Sequence, residues 1–203
     1  MGSVFAHIKT GKSSLMKLFV LLASTIFFAI TSLAQADQTI EEKVVVCAGC
    51  HGEDGKPKMP EVPNIWGQHS GYIYLQLKDF KAKRRASELM APITEEMTRE
   101  DMLAYAEYFS AKAWSNTGYT SDPAEAAKGQ SIGTSGMCTS CHLGTYFGDS
   151  AIPHLAGQTQ AYLEKQLFAF KTRARNNNPD MSNLVQTFSD DDLKLMSRFL
   201  AGQ

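Results

Sequence analysis

Cys47-Ala48-Gly49-Cys50-His51 and Cys138-Thr139-Ser140-Cys141-His142 are two occurrences of one pattern, Cys-X-X-Cys-His, in a chain of 203 residues. This is the attachment signature of a c-type haem. Two cysteines at this spacing can each form a thioether to one vinyl group of a single porphyrin. The adjacent histidine, His51 or His142, then sits beneath the iron as its proximal ligand. The chain has four cysteines, and the two motifs use all of them. Two covalently bound haem c groups are therefore expected, and with them electron transfer. Zinc and dithiol sites also use Cys-X-X-Cys, but they give no reason for the histidine that follows in both motifs.

An iron that carries electrons without binding substrate needs a sixth ligand, and a methionine thioether favours the reduced metal and raises its potential. Nine methionines are present, so proximity in sequence selects nothing by itself. Comparison of the halves does. Met90 follows His51 by 39 residues, and Met181 follows His142 by the same 39 (90 minus 51, 181 minus 142). Each precedes a helix start, with Thr98 or Ser189 as N-cap and acidic residues in the first turn. Met90 and Met181 are thus the candidate axial ligands. Met97, Met102 and Met196 recur at helical spacing among apolar residues and read as core; Met59 and Met137 read as loop.

The correspondence continues beyond the cysteines, so an internal repeat governs the fold. Pro63-Asn64-Ile65-Trp66-Gly67-Gln68 matches Pro153-His154-Leu155-Ala156-Gly157-Gln158. Tyr72, Gln76, Leu77, Phe80 and Lys81 match Tyr162, Gln166, Leu167, Phe170 and Lys171. Loops vary between the halves, yet the histidine-to-methionine interval is restored. Apolar spacing predicts amphipathic helices over residues 72–83 and 162–171, and closing helices over 99–112 and 190–200. No alternating strand pattern appears. Asp122-Pro123 is a helix start, with Asp as N-cap and Pro at the first helical position. The expected organisation is a signal peptide (1–36), a first domain (37–114), a linker (115–121) and a second domain (122–203). Each domain is small enough to struggle to bury a core, and a porphyrin bonded at its centre would supply the missing apolar surface. Each half is accordingly expected to fold only with its haem.

Lys9, Lys12 and Lys17, the uncharged apolar stretch over residues 18–33, and Ala34-Gln35-Ala36 form an export signal cleaved after Ala36. Met16-Lys17 would also serve as the start of a compact signal. The expected compartment is the periplasm, where haem attachment of this type takes place. Losing residues 1–36 removes three of the 20 basic residues and none of the 21 acidic ones. The mildly acidic remainder argues against nucleic acid binding. Lys81, Lys83, Arg84 and Arg85 read as a solvated helix end complementing the dipole.

In these motifs the chain resembles the cytochrome c4 family, periplasmic dihaem electron carriers built from two class I cytochrome c domains, over nearly all of residues 40–203. The resemblance rests on both Cys-X-X-Cys-His motifs, the Pro-X-X-X-Gly-Gln turns, the Tyr-rich helices ending in Phe-Lys, and the Met-then-helix segments. It implies an all-α fold of two tandem domains, each wrapped around one covalent haem. Cys47 and Cys50 would hold the first haem with His51 and Met90 axial; Cys138 and Cys141 would hold the second with His142 and Met181 axial. It also implies that the carbonyls of Pro63 and Pro153 accept the second N–H of the proximal histidines. Two departures stand out. Glu41-Glu42-Lys43-Val44 replaces a Gly-Lys helix start, and the run from Arg175 to Asp180 ahead of Met181 is unusually polar.

Redox proteins (an oxidase, reductase or dehydrogenase) are the expected partners of such a non-enzymatic carrier, and a peripheral association with the membrane is compatible with the sequence. A second reading is the electron-accepting subunit of a periplasmic flavin-dependent sulfide dehydrogenase or another dehydrogenase. A third, a haem enzyme in its own right, would require an open sixth site. His69 and His154 are the spare histidines after the signal and read as surface or loop residues.

Overall fold

The computed structural model describes Gly2 and residues 38–203; the expected export signal, Gly2 apart, lies outside the described residues. Among them the first half contains α1 (Ile40–Lys43), α2 (Val45–His51), α3 (Ser70–Lys81), α4 (Met90–Thr94) and α5 (Arg99–Ser110). The second contains α6 (Pro123–Ser135), α7 (Thr139–His142), α8 (Gln160–Lys171), α9 (Pro179–Val185) and α10 (Asp190–Ala201). No strand forms among these residues, only the isolated bridges Arg85 to Arg175 and Asp149 to Ile152. None of the described helices is long and apolar enough to cross a membrane.

The helix starts follow from the side chains that cap them. Thr98 and Ser189 each accept a backbone N–H from the third helical residue, and Asp101 and Asp192 return the bond as capping boxes. Those bonds, from the hydroxyl first and the backbone second, hold both carboxyls below their ordinary range. Asp122 accepts from the N–H groups of Ala124 and Glu125, and Pro123 opens α6 without an amide proton to satisfy. The pattern did not predict α4 and α9. Met90 and Met181 lie inside these short helices, which themselves precede the closing ones.

In the first half α3 packs on α5, with α4 against α3 and α1 against α5. Val44, Ile73, Leu77, Met97, Met102, Ala106 and Phe109 form the core there. In the second half α10 packs on α6 and α8, and α9 on α8. Tyr146, Leu163, Met196, Phe199 and Leu200 form one buried cluster there, and Phe170, Val185 and Leu193 another. Leu193 keeps only 2 % of its surface exposed, burial of a kind that stabilises by roughly 1.5–3 kcal/mol per side chain. Helices α6 and α10 meet closely because position 129 is glycine; a Cβ there would lie 2.4 Å from the Cβ of Phe199. Met97, Met102 and Met196 are core residues as the periodicity implies.

Residues 40–203 pack as one unit, and the segment over 115–121 is fastened to both halves. Ser115 donates its hydroxyl to the Asp54 carbonyl (2.8 Å), and Thr117 donates to that of Gly157 (3.0 Å). Asn116 donates to the Gln203 carbonyl (3.0 Å), and Ser121 to that of Arg198.

Candidate haem sites

Helix α2 ends on His51 and α7 ends on His142, so the histidine of each motif closes the turn that carries its two cysteines. None of the four cysteines is paired in a disulfide. Burial pushes the Cys47 thiol up to about 11 and raises that of Cys138. Among the described residues no group of three or more His, Cys, Asp and Glu is placed to hold a metal ion.

Both histidines are buried. His51 Nδ1 lies 2.8 Å from the Pro63 carbonyl, and His142 Nδ1 lies 3.1 Å from that of Pro153. A carbonyl can only accept, so Nδ1 carries the proton in both rings and Nε2 keeps its lone pair. Burial lowers the pKa of both imidazoles, the carbonyl bond only partly opposing it, so both are neutral, the form that binds iron. Two cysteines outside any disulfide at thioether spacing and a neutral, oriented imidazole fit a covalent haem at each motif.

Met90 is partly buried against the first core, which Cys47 also touches. Its amide donates to Ser87 Oγ (3.1 Å). In the second half Met181 packs with Phe170, Val185 and Leu193, while Cys138 packs on the neighbouring cluster; Leu167 touches both. Arg175, Asn177 and Asn178 in the polar run before Met181 all have hydrogen-bond partners. Asn177 donates to Gln76 Oε1 (3.2 Å) and Asp79 Oδ2 (2.7 Å), and Asn178 caps α9 by accepting from the Met181 amide (3.0 Å).

Two expectations need correction. Arg85 does not belong to a solvated helix end but is buried, as is Arg175. Arg85 donates to Gln76, Tyr162 and Gln166, and Arg175 to Gln166, Tyr72, Gln76 and Asn177, across a junction related by the internal repeat. Burial alone would raise the Tyr72 phenol, but Arg175 and then Arg85 outweigh it and bring it down to about 8. These hydrogen-bond partners of the two guanidiniums are neutral oxygens, and buried cations so placed suit a group that brings carboxylates, as a haem does. His154 is likewise a buried residue, not a surface one. Its ring stacks on Trp114 (3.7 Å between centroids) and meets Phe147 edge-on (4.4 Å). Its Nε2 is, among the described residues, the one buried side-chain polar atom without a hydrogen-bond partner. His69, partly buried at the head of α3, donates from Nε2 to the Phe147 carbonyl (2.6 Å).

Residues 40–116 match the cytochrome c family model. The chain is 32% identical to cytochrome c4 of Stutzerimonas stutzeri over 208 residues, covering 90% of this chain and 98% of that one. It is 31% identical to a thiosulfate dehydrogenase electron acceptor of Stutzerimonas stutzeri, covering 77% of this chain and 78% of that one. Among solved structures, reduced recombinant cytochrome c4 from Pseudomonas stutzeri superposes with a TM-score of 0.74 at 30% identity, over 80% of this chain and 96% of that one.

Proposed function

The chain belongs to the cytochrome c4 family, an electron-transfer protein with two covalent haem c groups, and we propose a periplasmic carrier closed at both irons. Cleavage after Ala36 frees a domain over 37–114 and a domain over 122–203, joined by 115–121. Cys47 and Cys50 would hold one haem, with His51 and Met90 supplying the imidazole and thioether for its iron. Cys138 and Cys141 would hold the other, with His142 and Met181 in the same roles. The haem supplies the one-electron iron couple. The chain keeps both imidazoles neutral by burial, orients them through the Pro63 and Pro153 carbonyls, offers a soft thioether from α4 or α9, and leaves no position for oxygen or substrate.

The observation that carries this reading is the pair of Nδ1-to-proline bonds, which present two Nε2 lone pairs at the two haem motifs. Redox titration of exported protein with visible and near-infrared spectra tests it. Two haems and the weak thioether-to-iron absorption are the expected result, and Met181→His should sharply lower the potential of one haem only. Ready uptake of carbon monoxide or cyanide, or equal shifts at both haems, would overturn it.

Respiratory oxidases or reductases are the natural partners of such a carrier. A second reading, the cytochrome partner of a periplasmic dehydrogenase, is favoured by similarity to a protein named as a thiosulfate dehydrogenase electron acceptor. Co-purification with a dehydrogenase separates the two.

A further inference from the structure

Each proximal histidine is wired, through a single peptide group, to a glutamine of the opposite half. His142 donates to the Pro153 carbonyl (3.1 Å). The N–H of that same peptide unit belongs to His154 and donates to Gln68 Oε1 of the first half (2.8 Å). The arrangement is reciprocal. His51 is bonded to the Pro63 carbonyl (2.8 Å), and the N–H of the Pro63–Asn64 peptide donates to Gln158 Oε1 of the second half (2.7 Å). Each glutamine closes a two-point clamp: Gln68 Nε2 donates to the His154 carbonyl (2.9 Å) and Gln158 Nε2 to that of Asn64 (2.8 Å). Each Oε1 accepts a second amide, from His69 (3.0 Å) or Thr159 (2.9 Å). Gln68 and Gln158 are buried to 4 % and 2 % exposure, so water does not compete for these bonds.

We infer that Gln68 and Gln158 are positioning residues that set the basicity of the proximal histidine in the other half. A hydrogen bond to a peptide N–H draws electron density toward its carbonyl oxygen, because the two share one resonance system. Chains of such bonds polarise one another in a low-dielectric interior. A more negative Pro153 or Pro63 oxygen pulls harder on Nδ1–H. The imidazole then donates more strongly through Nε2, which favours the oxidised iron and lowers its potential. The potential of each haem is thereby tuned across the junction, and separating the halves would raise both.

This inference rests on His51 and His142 being the axial ligands. The test uses Gln68→Met and Gln158→Met in the intact dihaem protein, read by redox titration and by the ring Nδ1–H resonances in the reduced state. Gln68→Met should raise the potential of the haem at Cys138 and Cys141 and move the His142 ring proton upfield, leaving the other haem and His51 unchanged. Gln158→Met should do the reverse. Should a methionine variant fail to fold, Gln68→Asn or Gln158→Asn, which keeps an amide but withdraws its carbonyl, carries the same readout. A shift confined to the glutamine's own half, an equal shift at both haems, or none overturns the inference. Loss of the thioether band or of a haem in the unmutated protein would instead overturn the axial assignment.

Discussion

Replacing Gly52 by alanine should cost far more stability than replacing Leu143 by glycine, although the two positions are equivalent. Each follows the histidine of its Cys-X-X-Cys-His motif, and the chain turns there through nearly the same conformation: φ 83°, ψ 154° at Gly52 and φ 60°, ψ 166° at Leu143. That region is nearly exclusive to glycine, and other residues pay roughly 1–3 kcal/mol to occupy it. At position 52 a Cβ would also lie 2.1 Å from the Lys56 carbonyl oxygen and 2.7 Å from its carbon. Backbone must therefore move as well. The less flexible unfolded chain returns only about 0.4–1 kcal/mol, so Gly52→Ala should lose about 3 kcal/mol or more. Leu143 already bears the strain, with 46% of its surface exposed. Leu143→Gly recovers roughly 1–3 kcal/mol of strain but forfeits about 1 kcal/mol of partial burial and the same unfolded-state term. It should fall within about 1 kcal/mol of the parent. For a chain of this size each kcal/mol moves Tm by about 2–4 °C. Thermal unfolding of the dihaem protein followed by circular dichroism should show Gly52→Ala melting about 6–12 °C lower and Leu143→Gly barely moved. If Gly52→Ala melts with the parent, or Leu143→Gly melts lower than Gly52→Ala, the backbone reasoning is wrong.

The buried His154 imidazole makes the junction acid-sensitive. Burial, followed by the neighbouring His69, holds it down to about 4 against an ordinary 6.5. The unfolded chain therefore takes up its proton first, so this contribution is complete above pH 6.5, declines as the pH falls toward 4, and changes no further below. The urea midpoint of the parent should drop across that window relative to His154→Phe, which keeps the ring stack; parallel curves would dismiss the idea. Thr98→Ala and Ser189→Ala should each cost about 0.5–2 kcal/mol by denaturant titration. They should also return Asp101 or Asp192 toward the ordinary carboxylate range, erasing a stabilisation present at neutral pH and lost as pH falls through the depressed value. An unchanged carboxyl titration in either variant would show that the capping box contributes nothing there.

Local pattern determined much of this protein. The haem motifs, the Thr98 and Ser189 N-caps, the Asp122-Pro123 helix start and the core methionines depend on residues within a few turns of one another, and the 39-residue histidine-to-methionine interval shows because the internal repeat restores it. The short helices α4 and α9 escaped because five and seven residues are too few to display a period.

What tertiary structure alone decided is the junction. Arg85, His154, Gln68 and Gln158 are polar and look like loop or helix-end residues, yet all four are buried. The repeat revealed Tyr72 with Tyr162 and Gln76 with Gln166 as matched pairs, without revealing that they bond Arg85 and Arg175 across the two halves. Periodicity records which face of a helix leaves water. It carries no information about which surface of a distant segment covers a loop, because that depends on how two separately patterned halves dock.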